Sequence, residues 1–120
     1  MLESNNIIKE KSYKFAVRTV KLYQYLTNKK KEYVLSKQIL RSGTSIGALV
    51  HESKFAQSKK DFINKLSIAL KEANESSYWL MLLFDTGYLT EKMYENIQPE
   101  IDEIIKILVS IVNTSKKNNE

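Results

Sequence analysis

Two glutamates and the single histidine are the side chains best suited to acid–base chemistry or metal binding in this sequence of 120 residues. Glu72 and Glu75 lie three positions apart, so a helix places both carboxylates on one face. A di-metal carboxylate bundle needs Glu-x-x-His on each of two helices, whereas His51 is followed directly by Glu52. The spacing therefore favours ion pairs between the two glutamates and Arg41 or a lysine, within or between subunits, over a metal site or an acid–base pair.

Nucleophilic catalysis has little support in the sequence. No cysteine is present, the one histidine is the only possible imidazole base, and no serine lies at a recognisable nucleophile elbow. The small residues of the segment 41–45, RSGTS, lack the GxxxxGKS/T spacing and the preceding strand of a phosphate-binding loop. We therefore expect a protein that is not an enzyme and that needs no metal or other cofactor.

Seven cations in the first 31 residues could contact phosphate groups. They are Lys11, Lys14, Arg18, Lys21, Lys29, Lys30 and Lys31. The first four recur at three- and four-residue steps and would line one edge of a helix, and the last three form a polar connection after it. A solvated helix face is one explanation, and a stripe that follows a nucleic-acid backbone is the other.

Charge is distributed unevenly along the chain, whose formal net charge is +5. Residues 1–65 carry 14 Lys and Arg against five Asp and Glu, whereas residues 66–120 carry five against nine. Such asymmetry is typical of proteins that bind a polyanion, and it is equally suited to self-complementary contacts between subunits. The sequence leaves both explanations open.

Four helices are predicted to position these side chains. Apolar residues recur at three- and four-residue steps in each helix, and polar or Gly-containing stretches separate them. The predicted helices cover about 6–27, 36–53, 58–85 and 90–114, and residues 115–120 are expected to form a disordered tail. Four helices joined by short links predict an all-α, antiparallel up-down-up-down four-helix bundle, formed as a single domain over residues 1–120.

Local capping signals mark the ends of these helices. Ser36 is a predicted N-cap of the second helix, and Ser58 with Asp61 forms a predicted capping box for the third. Gly87 is expected to end the third helix in a left-handed conformation, and Thr90 is expected to cap the fourth. Pro99 either restarts the main part of the fourth helix or lies within one kinked, continuous helix.

Two features of the central helices predict close contacts. Gly43 and Gly47 lie one turn apart in the second helix, where a glycine costs about 1 kcal/mol relative to alanine, so we expect a neighbouring helix to approach closely there. Residues 78–84 are apolar around the whole circumference of the third helix. This end of the helix is therefore expected to be covered by a loop or by another subunit.

The sequence shows no feature typical of export or membrane insertion. Its longest apolar run, residues 78–84, is too short to cross a bilayer, and its N-terminus lacks the cationic-then-apolar order of a signal peptide. The absence of cysteine agrees with a reducing compartment. We expect a soluble, cytoplasmic protein without a membrane partner.

Six segments of the chain carry a family likeness. They are 38–42 (QILRS), 44–48 (TSIGA), 51–52 (HE), 58–62 (SKKDF), 66–75 (LSIALKEANE) and 78–80 (YWL). In these segments the chain resembles the four-helix-bundle proteins encoded within intervening sequences of bacterial 23S ribosomal RNA genes. The likeness spans about residues 15–89, and the fourth helix agrees in pattern only.

The resemblance implies an all-α bundle that assembles into a homo-oligomeric ring, usually a homopentamer with a central channel. The chain is also similar to the accessory proteins of diversity-generating retroelements, which are basic pentameric barrels that bind a reverse transcriptase and nucleic acid. In the family, Asn commonly follows the alanine at position 48, whereas this chain has Leu49, which implies a drier local interface. Motif residues with an implied structural or interface role are Arg41, Ser42, Ser45, Ile46, Glu52, Phe62, Glu72, Glu75 and Trp79.

Together these patterns predict a non-enzymatic, oligomeric binding protein. In the first hypothesis, the seven cations contact the backbone of RNA or DNA without base specificity. In the alternative, the chain forms a structural or adaptor ring in which the charge asymmetry pairs subunits, and its partner is another protein, such as a reverse transcriptase. The resemblance itself defines no biochemical activity.

Overall fold

Four long helices make up most of the structure, a computed structural model that describes the backbone of residues 2–118 and the side chains of residues 5–118. The helices are α1 (Leu2–Asn28), α2 (Leu35–Ser53), α3 (Lys59–Asp85) and α4 (Glu91–Asn118), and residues 2–118 contain no strand. Each helix packs against the next one along the chain, and α1 also packs against α4. The predicted all-α, up-down-up-down four-helix bundle is confirmed.

The apolar faces of the four helices meet in one hydrophobic core. Buried side chains recur every three to four residues, as the periodicity predicted; α4, for example, buries Ile101, Ile104 and Leu108. On α1, Ser12 and Thr19 occupy two of the buried positions, and each hydroxyl donates to a main-chain carbonyl of its own helix. Because these hydroxyls are satisfied locally, small side chains can occupy the core without a polar partner on another helix.

The backbone of α2 approaches α1 closely at its two glycines. At Gly47, an added Cβ would lie 3.2 Å from the carbonyl oxygen of Ser12, so little space separates the two helices there. At Gly43, an added Cβ would overlap the side chain of Thr19. The predicted close approach of a neighbouring helix is confirmed, and it accounts for two residues of low helix propensity in α2.

Three of the predicted helix ends have the expected geometry. Ser58 Oγ accepts a hydrogen bond of 3.0 Å from the N–H of Asp61, although the Asp61 carboxylate in turn accepts from the N–H of Gln57. Gly87 has a φ of 87°, in the left-handed region, and ends α3. At the start of α4, Thr90 Oγ1 accepts from the N–H of Met93 at 3.1 Å. These signals involve only a few neighbouring residues, which is why the sequence predicts them well.

The predicted N-cap at Ser36 is wrong. The helix α2 begins at Leu35, and Ser36 is buried within its first turn. The carboxylate of Glu32 caps this end instead, because it accepts hydrogen bonds from the N–H groups of Val34, Leu35 and Ser36. A longer side chain placed before the helix therefore takes the role that the serine hydroxyl was predicted to have.

Pro99 lies inside α4, which passes through it as one helix. The predicted restart at Pro99 is wrong, and the alternative of a continuous helix is correct. Proline removes the helical hydrogen bond to the carbonyl four residues earlier, that of Glu95. Both residues are exposed, so the loss falls on the solvent side of the helix, where water can satisfy the carbonyl.

Helices α1 and α4 are longer than predicted. The disordered tail predicted for residues 115–120 is wrong for residues 115–118, which are helical; residues 119 and 120 lie outside the described residues. Ser115 is fully buried and lies four residues after Ile111, so it continues the buried face of α4. At the other end of the chain, α1 begins at Leu2 rather than near residue 6. No described helix has an apolar stretch long enough to cross a bilayer.

Candidate nucleic-acid interface

Arg41 on α2 joins the two glutamates of α3. Its Nη1 donates to both carboxylate oxygens of Glu72, at 3.2 and 3.1 Å, and its Nη2 donates to a carboxylate oxygen of Glu75. The same oxygen of Glu75 accepts a hydrogen bond of 3.0 Å from Trp79 Nε1. The ion pairs predicted for these glutamates thus form within one chain. We call this group the Arg41 clamp, because it holds α3 to α2 through charge-assisted hydrogen bonds.

Further motif residues lie in the contact between α2 and α3 or in the core. Ser42 shares a buried hydrogen bond of 2.9 Å with Ser76 of α3. Ile46 is fully buried, and Phe62 packs half-buried against the core. The hydroxyl of Ser45 donates to the carbonyl of its own helix one turn earlier, at 2.6 Å. These positions contribute to packing or to hydrogen bonds within and between the helices.

The single histidine is not part of the Arg41 clamp. His51 and Glu52 are both exposed on α2, and the His51 ring lies 5.9 Å from the ring of Phe55. Leu49, at the position where the family commonly has Asn, is half-buried against the core. Among residues 5–118, no three His, Cys, Asp or Glu side chains are grouped so that they could hold a metal ion.

Three of the four cations on the edge of α1 already have carboxylate partners. The pairs are Lys11 with Glu103, Arg18 with Glu100, and Lys14 with Glu10. The first two pairs connect α1 to α4, whereas the third lies within α1. The hydrogen bond and the charge of Glu103 raise the pKa of Lys11. An external phosphate would have to compete with these carboxylates for the same cations.

The connection between α1 and α2 presents three consecutive lysines to solvent. They are Lys29, Lys30 and Lys31, and none forms an ion pair with a carboxylate of residues 5–118. Hydrogen bonds to α1 hold the backbone of this connection: the N–H of Lys29 donates to Tyr25 at 2.8 Å, and the N–H of Glu32 donates to Leu26 at 2.9 Å. We call residues 29–34 the basic turn.

Glu32 fixes the second half of the basic turn. Its buried carboxylate accepts from the N–H groups of Val34, Leu35 and Ser36 at 3.2, 3.0 and 2.7 Å. Burial acts to raise the pKa of Glu32, but the hydrogen bonds from these backbone groups outweigh burial, so the pKa is lowered. The carboxylate is therefore ionised at neutral pH and lies at the positive end of the α2 dipole.

An aromatic side chain completes this surface. Tyr33 follows the lysines directly and is 54% exposed. Lysine ammonium groups neutralise backbone phosphates, and an exposed aromatic ring can stack on a base, so the basic turn offers the two contacts that single-stranded nucleic acid requires. Sequence reasoning missed Tyr33 and Glu32; the available signal was the run KKKEY, in which an aromatic residue follows clustered cations.

Lysines also cluster at the opposite end of the bundle, where sequence reasoning assigned them no role. Lys54, Lys59 and Lys60 lie in or beside the connection between α2 and α3, and all are exposed. Contact with Lys9 of α1, a second cation, lowers the pKa of Lys54. This second cluster has three lysines, as the basic turn does, and it lies on different elements. Substitutions in it can therefore serve as a control for substitutions in the basic turn.

The apolar end of α3 is only partly covered within the chain. Phe84 stacks on Tyr94 of α4 with ring centroids 4.5 Å apart. On the outer side of the same helix, Tyr78 is 51% and Met81 46% exposed. On α1, Tyr13 is 69% exposed, and Val17, one turn further along the helix, is also exposed. These two apolar surfaces are available for contacts with another molecule.

Comparison with known proteins identifies a family and a similar solved structure. A family model described as 23S rRNA-intervening sequence protein matches residues 4–110. A crystal structure of a protein of unknown function from the S23 ribosomal protein family of Bacteroides thetaiotaomicron is 58% identical in sequence, with a TM-score of 0.90. That match covers 92% of this chain and 98% of the other. No functionally curated protein shows significant similarity to the chain.

Proposed function

Because this chain belongs to the 23S rRNA-intervening sequence protein family, we propose that it is a non-enzymatic, oligomeric bundle that binds the backbone of RNA. The observation that carries the proposal is the basic turn. There, Lys29, Lys30 and Lys31 lie side by side next to the exposed ring of Tyr33, on a backbone held by Glu32. Because the turn is already ordered, little conformational entropy is lost when an RNA strand binds to it.

The chemistry of the turn supports binding without base specificity. Lysine acts as a point charge toward phosphate and carries no information about base sequence, and stacking on a tyrosine ring is tolerated by every base. Three neutralised phosphates per chain predict that log K falls against log salt with a slope of about −2 to −3. Between about 50 and 200 mM salt, affinity would therefore fall about 16- to 64-fold.

Fluorescence anisotropy with labelled single-stranded and structured RNA tests this proposal. A triple variant, Lys29→Gln, Lys30→Gln and Lys31→Gln, is expected to remove most of the salt dependence, because each lost phosphate contact reduces the slope by about one. The matched control is Lys54→Gln, Lys59→Gln and Lys60→Gln, which removes the same charge from the opposite end of the bundle. The control is expected to bind RNA like the unaltered chain.

Two outcomes would contradict the proposal. One is the absence of measurable RNA binding at about 50 mM salt, where the electrostatic contribution is large. The other is an equal loss in both triple variants, which would show that only the net charge of the chain matters. A further single variant, Tyr33→Ala, should weaken the binding of single-stranded RNA by about 1–3 kcal/mol. The binding of duplex RNA should change much less, because only unpaired bases can stack on the ring.

A structural or adaptor ring whose partner is another protein is the second candidate. The exposed apolar side chains of α1 and α3, Tyr13 and Val17 on one helix and Tyr78 and Met81 on the other, favour it. Contacts between unlike surfaces of identical chains close into rings, and such contacts would cover both surfaces. Light scattering coupled to size exclusion should give the mass of several chains for the unaltered protein. The double variant Tyr78→Glu with Met81→Lys should give the mass of one chain. A monomeric unaltered chain would contradict both candidates in their oligomeric form.

A further inference from the structure

A groove between α1 and α4 is lined mostly by apolar side chains. Leu22, Leu89 and Ile97 are almost fully buried and form its floor, and Tyr25 and Met93 contribute to its walls. Its volume is about 440 Å³. Cavities of this size with an apolar lining and a few polar groups are typical of sites for small molecules.

The extent of the groove along α1 sets the size of a ligand that it can hold. On α1 its lining extends from Arg18 to Tyr25, which corresponds to about 10 Å along a helix axis. An apolar chain or ring of about 10 Å therefore matches the length of the groove.

Cations from both helices line the groove. Lys21 of α1 and Lys92 of α4 are exposed, and neither has an ion-pair partner among residues 5–118. Arg18 also lines the groove, and it bonds Glu100 and donates to the carbonyl oxygen of Asn96 at 3.4 Å. The described lining of the groove includes no Asp or Glu. A groove that combines an apolar floor with two lysines lacking such partners is complementary to an amphipathic anion.

We propose that this groove binds a small amphipathic anion, with an apolar body of about 10 Å against Leu22, Leu89 and Ile97 and a carboxylate or phosphate group between Lys21 and Lys92. The fold prepares the floor, because the left-handed Gly87 turns the chain so that Leu89 is buried and donates its N–H to the carbonyl oxygen of Leu83 in α3 at 3.3 Å. The site lies outside the basic turn, and its occupation does not depend on RNA.

Methionine methyl signals provide a direct test on the full chain. Met93 lines the groove, whereas Met81 is exposed on α3 and serves as an internal control. With ¹³C-methyl methionine, four eight-carbon probes are titrated below their micelle concentrations: octanoate, octyl phosphate, octanol and octyltrimethylammonium. Octanoate and octyl phosphate should shift the Met93 signal and leave Met81 unchanged, octanol should bind more weakly, and the cationic probe should not bind. The tighter of the two anions identifies the head group.

Paired variants test the two lysines. The double variant Lys21→Gln with Lys92→Gln should lower the affinity for both anions about tenfold. Its affinity for octanol should not change, because only the charge contribution is removed. Lys59→Gln with Lys60→Gln, at the other end of the bundle, should leave all affinities unchanged, and the methyl spectra show that each variant is folded. The proposal is overturned if Met93 does not respond, if Met81 shifts in parallel with it, or if the cationic probe binds as well as octanoate.

Discussion

Replacing Glu32 with alanine should destabilise the bundle by removing the cap of α2. One carboxylate satisfies three N–H groups there and is itself buried, so no other acceptor of the protein replaces it. Loss of a capping side chain costs about 0.5–2 kcal/mol, and the three bonds place Glu32→Ala near the upper end, at about 2 kcal/mol. For a chain of this length, that corresponds to a decrease of about 6–10 °C in Tm.

The same variant has a predicted pH dependence. The pKa of Glu32 is lowered in the folded state, so its contribution to the free energy of unfolding is fully present above the ordinary value of 4.5. As pH falls through the lowered pKa, the carboxylate is protonated in the folded state and the contribution is lost. The difference between the unaltered chain and Glu32→Ala should therefore be constant from pH 7 down to the ordinary pKa of 4.5 and then decrease as the pH falls further.

Urea unfolding followed by the fluorescence of Trp79, the single tryptophan, measures both effects. Protein concentration is kept fixed, because assembly would add to the measured stability. Glu52→Ala is the control: this glutamate is exposed near the other end of α2, and its loss should change stability by no more than about 0.5 kcal/mol. The reasoning is refuted if Glu32→Ala loses no more free energy of unfolding than this control at pH 7. It is also refuted if the stability difference between Glu32→Ala and the unaltered chain stays the same at low pH.

Three further substitutions test other contacts. Gly43→Ala should lower the free energy of unfolding in urea by about 1–3 kcal/mol, because the new methyl group overlaps Thr19. Combining it with Thr19→Ala should recover part of this stability. If the effects of the two substitutions simply add, the explanation is contradicted. Gly87→Ala meets no atom within 4 Å, so only the left-handed backbone opposes it and Tm should fall by the equivalent of about 1 kcal/mol. Arg41→Ala should cost about 1 kcal/mol and shift the Trp79 emission, because Glu75 loses its cation; an unchanged spectrum would show that the Arg41 clamp does not order the indole.

The local features of this bundle could be predicted because their causes are close together in the chain. Ser58 and Gly87 act on groups within a few residues of themselves, and the sequence contains all the partners involved. The close approach at Gly47 was predicted for a similar reason, since a glycine within a helix requires compensation wherever the helix packs. Glu32 was missed because Ser36 has the residue type preferred at N-caps, and only its burial shows that it cannot serve as one.

Features that depend on helix register could not be predicted. Arg18 and Glu100 are 82 positions apart, and their pairing depends on how far α4 is displaced along α1. The sequence therefore suggested a free cationic edge where the structure contains ion pairs between helices. The groove between α1 and α4 has the same origin, because its floor and its two lysines come from opposite ends of the chain. A single sequence does not contain this register information.

The contact between α1 and α4 also affects the order of folding. It is the one pair of packed helices, within residues 2–118, that are not consecutive in the chain, so its formation requires the largest loop closure. The first three helices can associate through local contacts while α4 is still unstructured or being synthesised, and during that time Lys11 and Arg18 lack their carboxylate partners. We therefore expect low φ-values at this contact, for example for Ile97→Val, and higher values between α1 and α2, for example for Thr19→Ser, which removes a methyl group next to Gly43. Arrival of the last helix then completes the core and supplies the carboxylate partners of Lys11 and Arg18 in one step, which slows unfolding more than it speeds folding.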